Sequence, residues 1–171
     1  LCAKIPDNVN DDEAVFTVLA AIALQGIRLS NPTYGEIFVV SGLGIIGLIA
    51  AQILISNGCK VIAYDPDKKR CKEASKLGIE TYDLGVNTNI SKFINKYSKG
   101  NGVDGVIITA STKSNAPIEI ASKICRKRGR IILVGISGLN LNRDLFYKKE
   151  LTFQVSCSYG PGRYDPSYEL N

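Results

Sequence analysis

Three glycines at the spacing G-x-G-x-x-G interrupt an otherwise apolar run, Val39-Val40-Ser41-Gly42-Leu43-Gly44-Ile45-Ile46-Gly47, and nothing else in the 171 residues restricts the fold as much. The residues ahead of Gly42 are continuous and β-branched, as in a strand buried on both faces. Those after Gly44 continue as a helical pattern to Ser56. A strand must therefore turn sharply into a helix. The spacing gives each glycine a task. Gly42 permits the tight turn, Gly44 lets a pyrophosphate come close to the backbone, and Gly47 lets the helix lie against the strand. The N–H groups at the helix start, around Leu43, Ile45 and Ile46, would then face two phosphates at the positive end of the helix dipole.

A lone G-x-G-x-x-G is weak evidence, and a glycine turn with no ligand is the plain alternative. Here a second apolar run ends on Asp65, 18 residues beyond Gly47. That is close to the roughly 20 expected for a carboxylate that accepts hydrogen bonds from an adenosine ribose. Asp65 has a plain alternative too, as a cap for the next helix with Pro66 as its first residue. Like charges about 4 Å apart repel by about 4 kcal/mol at an effective dielectric near 20, so a carboxylate there disfavours a 2′-phosphate and NAD is expected rather than NADP. Lys68, Lys69 and Arg70 pull the other way if they shield a phosphate. On a solvated helix face they do not, and Arg70 then touches the adenosine end. Other nucleotide users fit less well. Methyltransferases on a similar sheet often carry an acid where this chain has Val40, flavoproteins usually start at the motif whereas 36 residues precede this strand, and the P-loop pattern is absent.

After residue 36, short apolar runs alternate with helical patterns. Strands are expected at 37–41, 60–64, 105–108 and 130–134, with a weaker one at 80–82 and a last one at 151–156. Helices are expected at 45–56, 66–77, 90–97 and 118–127, several closed by a glycine such as Gly58, Gly78, Gly100 or Gly129. Strict alternation means parallel strands with crossover helices, an α/β doubly wound sheet of six strands of the Rossmann type. The ends depart from that plan. Residues 11–29 read as one long helix, and residues 158–171 as a loop rich in Pro, Gly and Tyr. The organisation expected is a linker-helix region at 1–35, the nucleotide-binding domain at 36–157, and a C-terminal loop at 158–171.

Composition excludes several classes. With 45% hydrophobic and 22% charged residues the chain can build one core. No run of about 18 apolar residues supports a membrane span, and the first residues do not read as a signal peptide, so a cytoplasmic protein is the default. The five cysteines are scattered without a C-x-x-C, and there is no histidine. They read as reduced, mostly buried thiols rather than metal ligands. The net charge of +5 is modest. Its densest cluster, 123–130, lacks interleaved aromatics, so nucleic-acid binding is not expected.

From residue 1 onward the pattern resembles the nucleotide-binding half of the medium-chain dehydrogenase/reductase family, of the zinc-type alcohol and polyol dehydrogenase kind. The carrying stretches are IPDNVNDDEAVFTVLAAIALQGIR, GEIFVVSGLGIIGLIAAQ, VIAYDPDKKRCKEASKLGIE, NGVDGVIITAS and KRGRIILVGISG. The resemblance implies that Thr109 and Ala110 flank the adenine or ribose, and that Val134, Gly135 and Ile136 meet the nicotinamide end with backbone atoms. It implies hydride transfer between nicotinamide and an alcohol, carbonyl or sugar substrate, and leaves a homodimer open. The tail SCSYGPGRYDPSYE is similar to a segment of bacterial bi-domain oxidoreductases linked to surface-polysaccharide synthesis, which implies sugar chemistry; Arg163 and Tyr164 then either reach a substrate or belong to a loop that packs on the family's other half. The position corresponding to a zinc-ligand cysteine is Thr17, so zinc is not expected in this stretch. No catalytic residue is assigned, because the family's catalytic domain has no counterpart here. The alternative is a non-catalytic NAD-sensing or interaction domain.

Overall fold

The computed structural model describes residues 3–84 and 89–169. Six parallel strands form one sheet in the order β3-β2-β1-β4-β5-β6. They are β1 Ile37–Ser41, β2 Lys60–Asp65, β3 Glu80–Asp83, β4 Val103–Ile108, β5 Cys125–Leu133 and β6 Thr152–Val155. The helices are α1 Asp11–Ala14, α2 Thr17–Ser30, α3 Ile45–Ser56, α4 Lys68–Lys76, α5 Ile90–Tyr97, α6 Ala116–Ile124 and α7 Arg143–Lys149. Helices α2, α3 and α4 bury Ile27, Leu54 and Ala74 against Phe38 and Val40 on one face of the sheet. Helices α5 and α6 bury Ile94 and Ile118 against Val39, Ile62 and Ile108 on the other. Two-sided burial is what the continuous apolar runs demanded. The strand order reverses direction between β1 and β4, which opens a crevice at the carboxyl ends of these strands.

Several boundaries differ from expectation, each for a local reason. The helix expected at 11–29 is two helices, because the ladder breaks where the Phe16 N–H bonds Glu13 O and the Thr17 hydroxyl donates to Ala14 O at 2.7 Å. Helix α4 starts at Lys68 and not at Pro66, with Asp67 as its cap through an acceptor bond from the Lys69 N–H. Helix α6 stops at Ile124, since the basic stretch after it is the start of β5. Extended backbone there lets Arg126 reach Asp104 at 2.6 Å and Arg130 reach Glu36 at 2.6 Å. Gly129 therefore sits within a strand, packed on Cys125, and closes no helix. Helix α7 was not expected at all.

Of the cysteines, Cys59, Cys71 and Cys125 are buried free thiols and Cys157 is exposed. Cys2 lies outside the described residues. The tail forms two short 3-10 turns, Pro161–Arg163 and Pro166–Glu169, and the Arg28 side chain donates to the Tyr168 hydroxyl from α2. Among the described residues no helix is long and apolar enough to cross a membrane.

Candidate functional site

The glycine turn sits at the crevice. Gly42 has φ +101°, a conformation that side-chain-bearing residues rarely adopt, and its N–H bonds Tyr64 O across the sheet. A side chain at Gly42 would also strike the backbone of Ala110. Gly47 is equally enclosed: a Cβ there would collide with Gly42 O and come within 2.7 Å of the Thr109 hydroxyl. Gly44 differs from both. It is the N-cap of α3 with φ −70°, no side chain caps the helix, and a Cβ would meet nothing within 4 Å. The first N–H groups of α3, including those of Ile45 and Ile46, thus begin beside an open, bare backbone, which suits the approach of an anion.

Asp65 ends β2 next to that turn and is only 3% exposed. Its Oδ2 accepts the Leu43 N–H at 2.7 Å, and its Oδ1 accepts the Asp67 N–H at 2.8 Å. One carboxylate therefore ties the glycine turn to the entry of α4. The Leu43 N–H is engaged by Asp65 rather than left free. Arg70 leans back from α4, 3.5 Å from Asp65 Oδ2 and 3.8 Å from Asp67 Oδ2.

A cleft of about 310 Å³ opens beside these groups and brings together Gly42, Asp65, Arg70 and Ala110 of the expected set. Thr109 lies below it. Its hydroxyl donates to Gly42 O at 2.7 Å, so it holds the turn from beneath. Val134, Gly135 and Ile136 lie beyond the cleft, on the continuation of β5. The Val134 and Gly135 N–H groups bond Ile108 O and the Ile136 N–H bonds Ala110 O, while the Ile136 side chain is 68% exposed. The cleft is completed by residues that the sequence did not single out, among them Ser41, Tyr64, Leu84, Pro117 and Ile120. Tyr64 had one available signal, its place directly before Asp65. Burial pushes its phenol up to about 12.

The family described as zinc-binding dehydrogenase matches residues 46–170. The chain belongs to that family. It is 28% identical over 171 residues to a sorbitol dehydrogenase of Halalkalibacterium halodurans, covering 97% of this chain and 49% of the relative. It is 32% identical over 162 residues to a D-guloside 3-dehydrogenase of Escherichia coli, covering 91% and 46%. The fold is similar to that of the 2R,3R-butanediol dehydrogenase from Bacillus subtilis, with a TM-score of 0.83 at 24% identity over 92% of this chain and 45% of the other. The chain spans about half the length of the curated relatives it matches.

Despite the family's description, these residues do not fit a zinc ligand set. Among the described residues no three or more His, Cys, Asp or Glu side chains gather, and the Thr17 hydroxyl is bonded to Ala14 O.

Proposed function

We propose that this chain is the dinucleotide-binding part of an NAD(P)-dependent oxidoreductase acting on an alcohol, carbonyl or polyol substrate. The observation that carries the reading is Gly44, bare and open at the start of α3, beside a buried Asp65 at the crevice between β1 and β4. The dinucleotide supplies the hydride chemistry when bound. The chain's own residues bind and orient it. The α3 start and Gly44 take the pyrophosphate, Asp65 and Arg70 meet the adenosine ribose, and Gly135 and Ile136 present backbone toward the nicotinamide end. Residues 36–157 form the binding unit in this reading, and 1–35 and 158–171 lead to and from the part that holds substrate. The names of the sorbitol and guloside relatives support a polyol or sugar substrate. The open edge of β6, with Val155 55% exposed, supports a homodimer, which sedimentation velocity would detect.

NAD is the expected cofactor because, in this reading, the buried carboxylate of Asp65 meets the adenosine ribose and would repel a 2′-phosphate there. Arg70 is already held by Asp65 and Asp67, which weakens it as a phosphate ligand. Calorimetric titration tests both parts of the reading. NADH should bind roughly ten- to a hundredfold more tightly than NADPH. Asp65→Asn retains an acceptor for the Leu43 N–H, removes the charge, and should narrow that gap. Absence of binding by either dinucleotide overturns the functional reading; equal affinities in the unmodified chain overturn only the choice of NAD.

A further inference from the structure

The charge of the chain is concentrated on one face. Two adjoining clefts, which share Lys127 and Lys149, are lined between them by Lys123, Arg126, Lys127, Arg128, Lys148 and Lys149 and by a single carboxylate, that of Glu150. These are six of the chain's 21 basic residues and one of its 16 acidic residues, so the rest of the chain is formally neutral and the net +5 belongs to this face. Setting Arg126 against Asp104, its partner at 2.6 Å, still leaves an excess of four positive charges. Like charges gathered in one place repel one another, and an anion seated among them relieves that repulsion. The face is remote from the glycine turn. Whereas the proposed dinucleotide cleft lies at the carboxyl ends of β1, β2 and β4, the first of these clefts takes Gly102 and Cys125, at the amino ends of β4 and β5.

That first cleft, about 280 Å³, is built where two connections meet. The end of α5 and its link to β4 bring Asn95 and Asn101, and the junction of α6 with β5 brings Lys123 and Lys127. No carboxylate lines it. Lys149 spends its three donors on the carbonyls of Ser122, Lys123 and Cys125, and Arg126 is held by Asp104 and by the Lys127 carbonyl, so these two contribute positive potential more than free donors. Lys123 and Lys127 are exposed and pair with no carboxylate among the described residues, nor do the side chains of Ser91, Asn95 and Asn101 hydrogen-bond to any of them. Two free ammonium groups with neutral donors beside them select an anion. A phosphate monoester suits them, with a charge of about −1.5 to −2 at pH 7 and strong acceptor oxygens. The cleft's size lies near the lower end of small-molecule sites, roughly 300 Å³, and the buried Ile94 and Ile124 give it an apolar floor. Room and floor together match an ester with a small organic part rather than the bare ion. We propose that this cleft is a second ligand site, which binds a small phosphate ester through Lys123 and Lys127 with Asn95 and Asn101 beside them.

The test is a titration of the isotope-labelled full chain at one fixed ionic strength, followed by its backbone amide resonances, with glucose 6-phosphate, glucose and inorganic phosphate as probes. Glucose 6-phosphate should shift residues 95–102 and 123–128 saturably, inorganic phosphate should shift the same residues with lower affinity, and glucose should shift none. The double variant Lys123→Gln, Lys127→Gln changes only exposed side chains. It should keep the thermal midpoint and the NADH affinity of the unmodified chain and bind glucose 6-phosphate about tenfold or more weakly. No saturable shift with glucose 6-phosphate overturns the proposal, as does an unchanged affinity in the double variant. Shifts confined to residues 42–47 also overturn it while leaving the dinucleotide reading intact, because they place the phosphate at the glycine turn. Equal affinity for inorganic phosphate removes recognition of the ester. A single-stranded oligonucleotide that shifts residues 123–128 at far lower concentration than glucose 6-phosphate marks the face as a surface for a polymer, and the small-molecule site falls.

Discussion

At the scale of single residues, the three glycines of the turn separate into two physical kinds. Gly42 and Gly47 are demanded by packing, Gly42 by its positive φ and Gly47 by the oxygens of Gly42 and Thr109 that its missing side chain leaves room for. Gly44 has ordinary backbone angles and empty space where a side chain would stand. Substitution should expose the difference. Gly44→Val should fold, with a loss of about 1 kcal/mol for the poorer N-cap, and should lose dinucleotide binding in a calorimetric titration. Gly47→Ala should instead destabilise the chain by about 1–3 kcal/mol in a denaturant titration, since backbone and helix must part to admit the methyl group. Alkaline pH provides a second residue-level prediction. Burial pushes the Tyr64 phenol up to about 12 from 10.0 and the Cys125 thiol up to about 12 from 9.0. Both keep their protons longer folded than unfolded, so the unfolded chain binds fewer protons between pH 9 and 12 and stability must fall as pH rises through that window. Tyr64 contributes up to about 3 kcal/mol of that loss. Thermal midpoints measured from pH 8 to 11 should decline, and Tyr64→Phe should flatten the decline above pH 10.

At the scale of elements, the strands declared themselves where both faces are buried and concealed themselves where one end meets solvent. The second half of β5, Ile131-Ile132-Leu133, is a plain apolar run, whereas its first half carries Arg126, Lys127, Arg128 and Arg130 and reads as a helix end. Arg126 and Arg130 lie in the strand because carboxylates wait for them, Asp104 on β4 and Glu36 just ahead of β1, whereas Arg128 takes a positive φ and faces Glu150. That pairing depends on which strands are neighbours, which local pattern cannot encode. The same holds for the cleft. Gly42, Gly44, Gly47 and Asp65 are linked by fixed spacing and so were legible. Tyr64, Leu84, Pro117 and Ile120 come from separate segments that only the sheet order brings together. Helix α7, seven residues long with no buried residue, gave no periodic signal. Its fastening is a charge: Lys149 Nζ donates to the carbonyls of Ser122, Lys123 and Cys125 at 2.7–2.9 Å, where α6 ends. Those carbonyls would otherwise lack helical donors. Lys149→Met keeps the stem and removes the donors, and should cost about 1–2 kcal/mol with faster hydrogen exchange at the end of α6.

At the scale of the whole molecule, the proposed function gives this chain the binding of the cofactor and assigns the handling of substrate to the rest of the protein. The cleft lies at the carboxyl ends of β1, β2 and β4, and the polar side chains that line it include those of Asp65, Arg70, Ser111, Thr112 and Ser114. No group of three or more His, Cys, Asp or Glu forms among the described residues, and the chain spans about half the length of the relatives it matches. Binding and turnover should therefore separate. A ligand that binds only the folded form raises stability in proportion to the logarithm of its saturation, by about 2.7 kcal/mol at a hundredfold excess over Kd. For a domain of this size such a gain corresponds to roughly 5–10 °C in the thermal midpoint. The 171-residue chain should thus melt several degrees higher with saturating NADH and, in the same buffer, should leave NAD unreduced in the presence of sorbitol or simple alcohols. A midpoint that ignores NADH would contradict the proposed cofactor binding. Steady reduction of NAD by the isolated chain would mean that these residues hold a substrate and move its proton, and Arg163 and Tyr164, exposed on the C-terminal turns, would be the first positions to substitute.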